Sequence, residues 1–272
     1  MQAEAELVVS LARWAGQHAW ALFLGLTALW LAASLVGGWL FQRYAVLVRQ
    51  GYISPSVFRG LHIAAGGTVM VLGAAVFAEL AGELGATNPL GQADQAFTDA
   101  LSASVPRAAL HLFAAVTHLG DTATLTGLGA VVAVALVLAG RRWLALGWVA
   151  ALAGNGLLNQ TLKQIFGRVR PLRADELVLE PGFSFPSGHS SGSVVAYGML
   201  AYLAFRLLPP RWHLPALLAA LTLAFTVGAS RVFLRVHFVS DVLAGFASGM
   251  AWLALCVTSI ELIRWRQLRG AA

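Results

Sequence analysis

One cysteine and one lysine occur in the 272 residues, and Asp, Glu, Lys and Arg together make up only 11% of the chain. That scarcity of charge excludes an ordinary soluble domain, where about a quarter of residues are charged. The lone cysteine, Cys256, excludes an internal disulfide and a cysteine-rich metal site. It lies inside an apolar run and reads as a small apolar side chain. The chain has no internal repeat, low-complexity tract or soluble linker. No apolar run alternates at period two, so a membrane β-barrel is unsupported. The N-terminus also lacks the pattern of a secretory signal, because Glu4 and Glu6 come first and the apolar run that follows is long.

What is present is apolar length: 58% of the residues are hydrophobic. Seven runs are long and apolar enough to span a bilayer, over 19–41, 61–80, 123–139, 143–162, 190–208, 214–229 and 242–263. The fold class expected is therefore all-α, a polytopic transmembrane helical bundle. Residues 1–18 read as a short interfacial lead-in and 42–60 as a loop. The second run is rich in Gly and Ala, which suits close helix packing. Residues 81–120 are less apolar, and Asp94, Phe97, Leu101 and Val105 suggest an amphipathic surface helix broken near Pro106. Asn155, Asn159 and Gln160 sit late in the fourth run, where polar side chains face a bundle interior or a cavity.

The net charge of +6 does not point to nucleic acid, because the basic residues are scattered between apolar spans. Topology explains them better. Arg43, Arg49, Arg59, Arg141, Arg142, Arg206, Arg211, Arg264, Arg266 and Arg269 fall on one side of a seven-span arrangement, which should be cytoplasmic. Lys163, Arg168, Arg170, Arg173, Arg231 and Arg235 fall on the other side, in two loops, against the charge bias. An anionic ligand gives such a cluster a reason.

Three segments meet on that outer side. The first runs from Lys163 to Arg170 and Pro171, the second is Pro186-Ser187-Gly188-His189, and the third is Ser230 to Asp241. In the third, His237 and Asp241 at i, i+4 would lie on one helix face, with the carboxylate fixing the ring tautomer and leaving one nitrogen free to attack. Arg231 and Arg235 carry planar forks suited to phosphate oxygens. Each segment also has a plainer reading. Ser187 could be only a helix cap, Lys163 and Arg170 headgroup anchors, His189 a local hydrogen bonder, and Asp241 a helix-start acid.

Taken together, the ordered pattern K-x6-R-P, P-S-G-H and S-R-x5-H-x3-D resembles the type 2 phosphatidic acid phosphatase superfamily. Lys163, Arg170, Pro171, Pro186, Ser187, Gly188, His189, Ser230, Arg231, His237 and Asp241 occupy its defining positions. The resemblance covers residues 61–263 and implies a six-helix phosphatase core plus one extra N-terminal transmembrane helix. It divides the chain into an extension (1–60), the core (61–265) and a cytoplasmic tail (266–272). It also implies roles. His237 attacks phosphorus and forms a phosphohistidine, Asp241 orients it, and His189 protonates the leaving oxygen. Lys163, Arg170, Ser187, Gly188 and Arg231 hold the phosphate. His189 has no carboxylate in its own motif, which sets it apart from His237 as the proton-transfer residue. Glycine at 188 lets the backbone approach a phosphate. Three cations can do a metal's work in phosphoryl transfer, so neither metal nor cofactor is expected. Arg168 and Arg235 lie outside the pattern.

The implied activity is a membrane phosphatase acting on a lipid phosphate or diphosphate in a bacterial inner membrane, with its site facing the periplasm. Undecaprenyl diphosphate comes first among substrates, then phosphatidylglycerophosphate or phosphatidate. The alternatives are a phosphotransferase with a lipid acceptor such as lipid A, and a non-catalytic lipid transporter or binder. Substrate lipid and bilayer lipids are the expected partners.

Overall fold

Every long apolar run folds as helix, and no strand occurs among the described residues. The computed structural model describes residues 2–52, 54–85, 87–101, 105–171 and 180–270. Arg173 of the outer basic cluster lies outside them. The helices are α1 (Gln2–Gln17), α2 (Ala19–Arg49), α3 (Pro55–Gly82), α4 (Pro89–Leu101), α5 (Arg107–Thr117), α6 (Thr122–Leu138), α7 (Arg142–Phe166), α8 (Gly188–Leu207), α9 (His213–Phe233) and α10 (Val239–Gly270).

Four of these, α2, α3, α9 and α10, are long and apolar enough to cross a membrane, and the pair α5–α6, bent by 46°, would make a fifth. Helices α7 and α8 hold the expected fourth and fifth spans but are less apolar. Their outer halves carry Asn155, Asn159 and Lys163, and His189, Ser190, Ser191 and Ser193. All of these but Lys163 are buried inside the bundle. Outward faces are the reverse. Leu29, Val71, Val131, Leu138 and Leu157 are each more than 60% exposed, an apolar surface that calls for lipid rather than water.

Residues 42–60, expected as a loop, are mostly helical. Helix α2 runs on to Arg49 because residues 42–49 contain no Gly or Pro to stop it. The chain turns at Gly51 (φ 81°), and Ser54 then caps α3, its hydroxyl accepting from the Val57 N–H at 3.3 Å.

The two amphipathic segments form a layer. Helix α1 crosses α4 so closely that a Cβ at Gly16 would sit 2.5 Å from the Phe97 carbonyl oxygen. Leu101 at the end of α4 joins Phe113, Phe233, Leu234 and Val236 in one apolar cluster, with Trp20 and Phe23 from the start of α2 packed against it. Phe113 and Phe233 stack at 4.4 Å. A second cluster holds Trp148 on α7 against Val195, Met199 and Leu203 on α8. The Trp148 and Trp252 ring N–H groups donate to the carbonyls of Gly129 and Ala151, at 2.8 and 2.9 Å, tying α6 to α7 and α7 to α10. This packing sets the outer ends of α7, α8, α9 and α10 side by side.

Candidate active site

The three segments converge at those outer ends. Helix α9 ends in a tight turn. The Arg235 N–H donates to the Val232 carbonyl, and Val236 N–H to that of Arg231. Arg235 sits between them in the left-handed region at φ 52°. This is a Schellman stop with arginine where glycine is usual, at a cost of about 1–2 kcal/mol. The His237 N–H also donates to the Arg231 carbonyl, at 3.2 Å, so the histidine folds back over the arginine.

His237 therefore precedes α10 and is not on its face, contrary to the helical reading of the i, i+4 spacing. The pair still meets: His237 Nδ1 lies 3.3 Å from Asp241 Oδ2. Asp241 is the third residue of α10 and reaches back to accept from the Phe238 N–H at 2.9 Å, as in a capping box. The helix-start acid and the hydrogen-bond partner of His237 are thus one carboxylate. Its Oδ2 also accepts from the Ser184 hydroxyl, and its Oδ1 from Arg168 Nη1 at 2.7 Å. The Ser187 N–H donates to the Asp241 carbonyl at 2.9 Å, joining the second and third segments.

Arg168 sits behind Asp241 and outside the cavity. It donates to Asp241, to the Ser240 hydroxyl at 2.7 Å and to Asp94 Oδ2 at 2.8 Å. Asp94 is buried on α4 and also accepts from the Ser240 N–H and hydroxyl. Burial pushes its carboxyl up, against the bonds from Ser240 and Arg168. The layer of α1 and α4 is thus bolted to the turn that carries His237 by an aspartate read from sequence only as part of an amphipathic stripe.

The other cations ring the histidine. Arg170 Nη1 lies 2.9 Å from His237 Nε2 and donates to the Val236 carbonyl at 2.8 Å. Its other nitrogens reach the carbonyls of Pro181, Gly182 and Phe183. Lys163 Nζ donates to the Phe183 carbonyl at 2.6 Å. Arg231 is fully buried; it donates to the Thr117 hydroxyl at 2.6 Å and pairs with Glu180. Its Nε is buried without a partner. Burial works to raise the Glu180 carboxyl, but Arg231, His189 and Arg170 hold it below the usual range. Burial pushes His237 down to about 3, with Asp241 pulling the other way. The ring is therefore neutral at physiological pH, with Nδ1–H on the carboxylate and the Nε2 lone pair toward Arg170.

Ser187 is the N-cap of α8, its hydroxyl accepting from the Ser190 N–H at 3.3 Å and from the Ser190 hydroxyl at 2.9 Å. Gly188 has a packing reason as well as an access reason: a Cβ there would lie 2.9 Å from Asn159 Oδ1. Asn159 in turn donates to the Pro186 carbonyl and, with Asn155, to the Ser191 hydroxyl, so these amides tie α7 to α8. His189 follows at the helix start, and its Nε2 lies 2.8 Å from Asp121 Oδ1. Asp121, 68 residues earlier, has no place in any of the three motifs. Only the fold brings it here.

His189, His237, Lys163, Glu180 and Gly188 line one end of a cavity of about 890 Å3. The rest of that cavity runs between α6 and α7 past Leu125, Gly129, Ala133, Trp148 and Leu152. A polar end and an apolar trough are thus continuous. No cluster of three or more His, Cys, Asp or Glu side chains suited to a metal occurs among the described residues.

The PAP2 superfamily model matches residues 143–265. The chain is 35% identical over 184 residues to phosphatidylglycerophosphatase B of Bacillus subtilis, covering 66% of this chain and 90% of that one. It is 37% identical over 119 residues to a lipid A 1-phosphatase of Rhizobium johnstonii, covering 40% of this chain and 44% of the relative. The crystal structure of a transmembrane PAP2-type phosphatidylglycerolphosphate phosphatase from Bacillus subtilis superposes with a TM-score of 0.65 at 30% identity. That match covers 73% of this chain and 96% of the other.

Proposed function

The chain belongs to the PAP2 superfamily of membrane phosphatases, and from that premise we propose that it removes the terminal phosphate of a lipid phosphate or diphosphate through a phosphohistidine on His237. One observation carries the reading. An imidazole, held by Asp241 and met by Arg170 at 2.9 Å, stands beside the polar end of a cavity whose remainder is mostly apolar. A phosphate head and a lipid tail are the two halves of a ligand that fits.

The chemistry needs charge and alignment more than covalent help from the protein. Phosphate oxygens take over the donors that Lys163 and Arg170 now spend on loop carbonyls, and the unpartnered Nε of Arg231. Freed of Arg170, His237 Nε2 attacks phosphorus while Asp241 balances the charge growing on the ring. His189 gives its proton to the departing oxygen and then takes one from the water that opens the phosphohistidine. Ser187 holds the turn that presents the Gly188 N–H. Catalysis proceeds without a metal, since the three cations supply the positive charge.

The extension over residues 1–60, the core over 61–265 and the tail over 266–272 belong to this reading, as do a bacterial inner-membrane location and a periplasmic site. Undecaprenyl diphosphate, phosphatidylglycerophosphate and phosphatidate are the substrates to try. The test is phosphate release from this panel by purified protein in detergent with excess chelator. Release with at least one lipid is expected. Loss on chelation that magnesium restores would defeat the cation-only account. Phosphate appearing on an added lipid acceptor instead of in solution would make the enzyme a transferase.

A further inference from the structure

A second carboxylate in the site belongs to none of the three motifs. Asp121 stands at the junction of α5 and α6, and its two oxygens are taken by two histidines. Oδ1 lies 2.8 Å from His189 Nε2, and Oδ2 lies 2.7 Å from His118 Nδ1. Its position makes this pairing notable. Asp121 is the N-cap residue of α6, where an aspartate normally accepts from an amide of the first helical turn. Here it makes no such cap bond. The carboxylate is turned away from its own helix toward the His189 ring.

The surroundings hold it there. The Tyr197 hydroxyl on α8 donates to the Leu119 carbonyl at 2.8 Å, tying the junction to the helix that carries His189. At Gly120 a Cβ would lie 2.9 Å from His189 Cδ2 and 2.5 Å from Val227 Cγ1, so only glycine lets the chain pass this close. His118, a mostly exposed side chain, closes the other carboxylate oxygen from the outside.

We propose that Asp121 is the positioning residue for His189: it holds the Nε2–H, directs Nδ1 at the leaving oxygen and steadies the imidazolium that donates the proton. Each histidine of the site then has its own carboxylate, Asp241 for the nucleophile and Asp121 for the acid. In the first step the P–Nε2 bond to His237 forms as the P–O bond to the lipid breaks, and the His189 Nδ1 proton goes to that oxygen. His189 is left neutral with its Nε2–H on Asp121. In the second step water gives its proton to Nδ1 as its oxygen bonds to phosphorus and the P–N bond breaks. The imidazolium is restored.

The inference rests on His189 as proton donor, and the experiment separates the two. Turnover of octyl phosphate, a poor leaving group, and p-nitrophenyl phosphate, a good one, is measured for wild type, Asp121→Asn, His189→Ala and the double variant. Asp121→Asn should lose about 10- to 100-fold on octyl phosphate and less than about threefold on p-nitrophenyl phosphate, a part of the acid's own contribution. In the His189→Ala background it should cost nothing more. If His189→Ala shows the leaving-group contrast and Asp121→Asn loses activity equally on both substrates, or not at all, this inference fails alone. If His189→Ala shows no contrast, the proton-donor reading beneath it fails. Should Asp121→Asn not survive purification, Asp121→Glu, which keeps the charge and moves it, serves in the same comparison. A contrast of the same sign supports the proposal, and equal losses or none overturn it.

Discussion

His237 shows how burial decides chemistry at a single residue. Its ordinary pKa near 6.5 is pushed down to about 3 because the ring is fully buried, and the neighbouring carboxylate only partly offsets this. The sign follows directly. The folded ring stays neutral as pH falls through 6.5 while the unfolded chain takes up a proton there, so stability is lost between about 6.5 and 3. The 15N resonances of His237 should therefore remain those of a neutral imidazole, protonated at Nδ1, down to about pH 4 in the substrate-free protein. Titration near 6.5 would contradict the buried, carboxylate-held ring. Arg168 gives a second residue-scale prediction. It is the cation between two buried carboxylates, Asp94 and Asp241. Arg168→Ala leaves both without a counter-charge, at a cost of about 3–5 kcal/mol. Thermal unfolding in detergent should show a large loss of stability. An unchanged midpoint with weakened substrate binding would instead make Arg168 a substrate contact.

Helices carry the next scale, and here sequence and structure part in instructive ways. The motif residues were legible because their order is fixed along the chain and each has a type the chemistry demands. Lys163, Arg170, His189, Arg231, His237 and Asp241 do meet at one end of the bundle. Asp94 and Asp121 were not legible. Each partners a residue more than 60 positions away, across a helix contact that local pattern does not encode. The i, i+4 spacing of His237 and Asp241 gave the right contact for the wrong reason, since a capping-type reach does what a helix face was expected to do. Apolar run length marked where the long helices lie, though only four of them, or five with the bent pair, are long and apolar enough to cross a membrane. It missed the helix running through residues 42–49, because apolar runs mark a membrane and not the end of a helix. The trough between α6 and α7 belongs to this scale as well. Ala133 lies twelve residues below Asp121, about 18 Å along the helix, and lines the apolar part of the cavity. Ala133→Phe should raise KM roughly tenfold for a long-chain lipid phosphate by filling that space, a loss of about 1.4 kcal/mol. A short-chain phosphate should be turned over as before. Equal effects on both would place the lipid tail elsewhere.

At the scale of the whole molecule, the chain is an apolar shell around a polar end. The shell exposes leucine and valine to lipid, while most of the buried polar residues gather where α7 and α9 end and α8 and α10 begin. The charge bias of the basic residues between the other helix ends predicts a cytoplasmic side there, and labelling tests it. In a Cys256→Ser background, a cysteine at Ala174, which lies outside the described residues, should react with an impermeant reagent from outside intact cells, and one at Arg141 should be protected. The reverse would put the site in the cytoplasm and remove the periplasmic substrates.

The central claim is that phosphate passes through His237, and trapping the intermediate tests it most directly. Purified protein is mixed with a 32P-labelled lipid phosphate, quenched in alkali within milliseconds to seconds, and separated on a denaturing gel. The account predicts an alkali-stable, acid-labile label in wild type, a stronger one in His189→Ala with a good leaving group, because water then attacks unaided, and none in His237→Ala. A label of undiminished strength in His237→Ala would mean that another residue carries the phosphate.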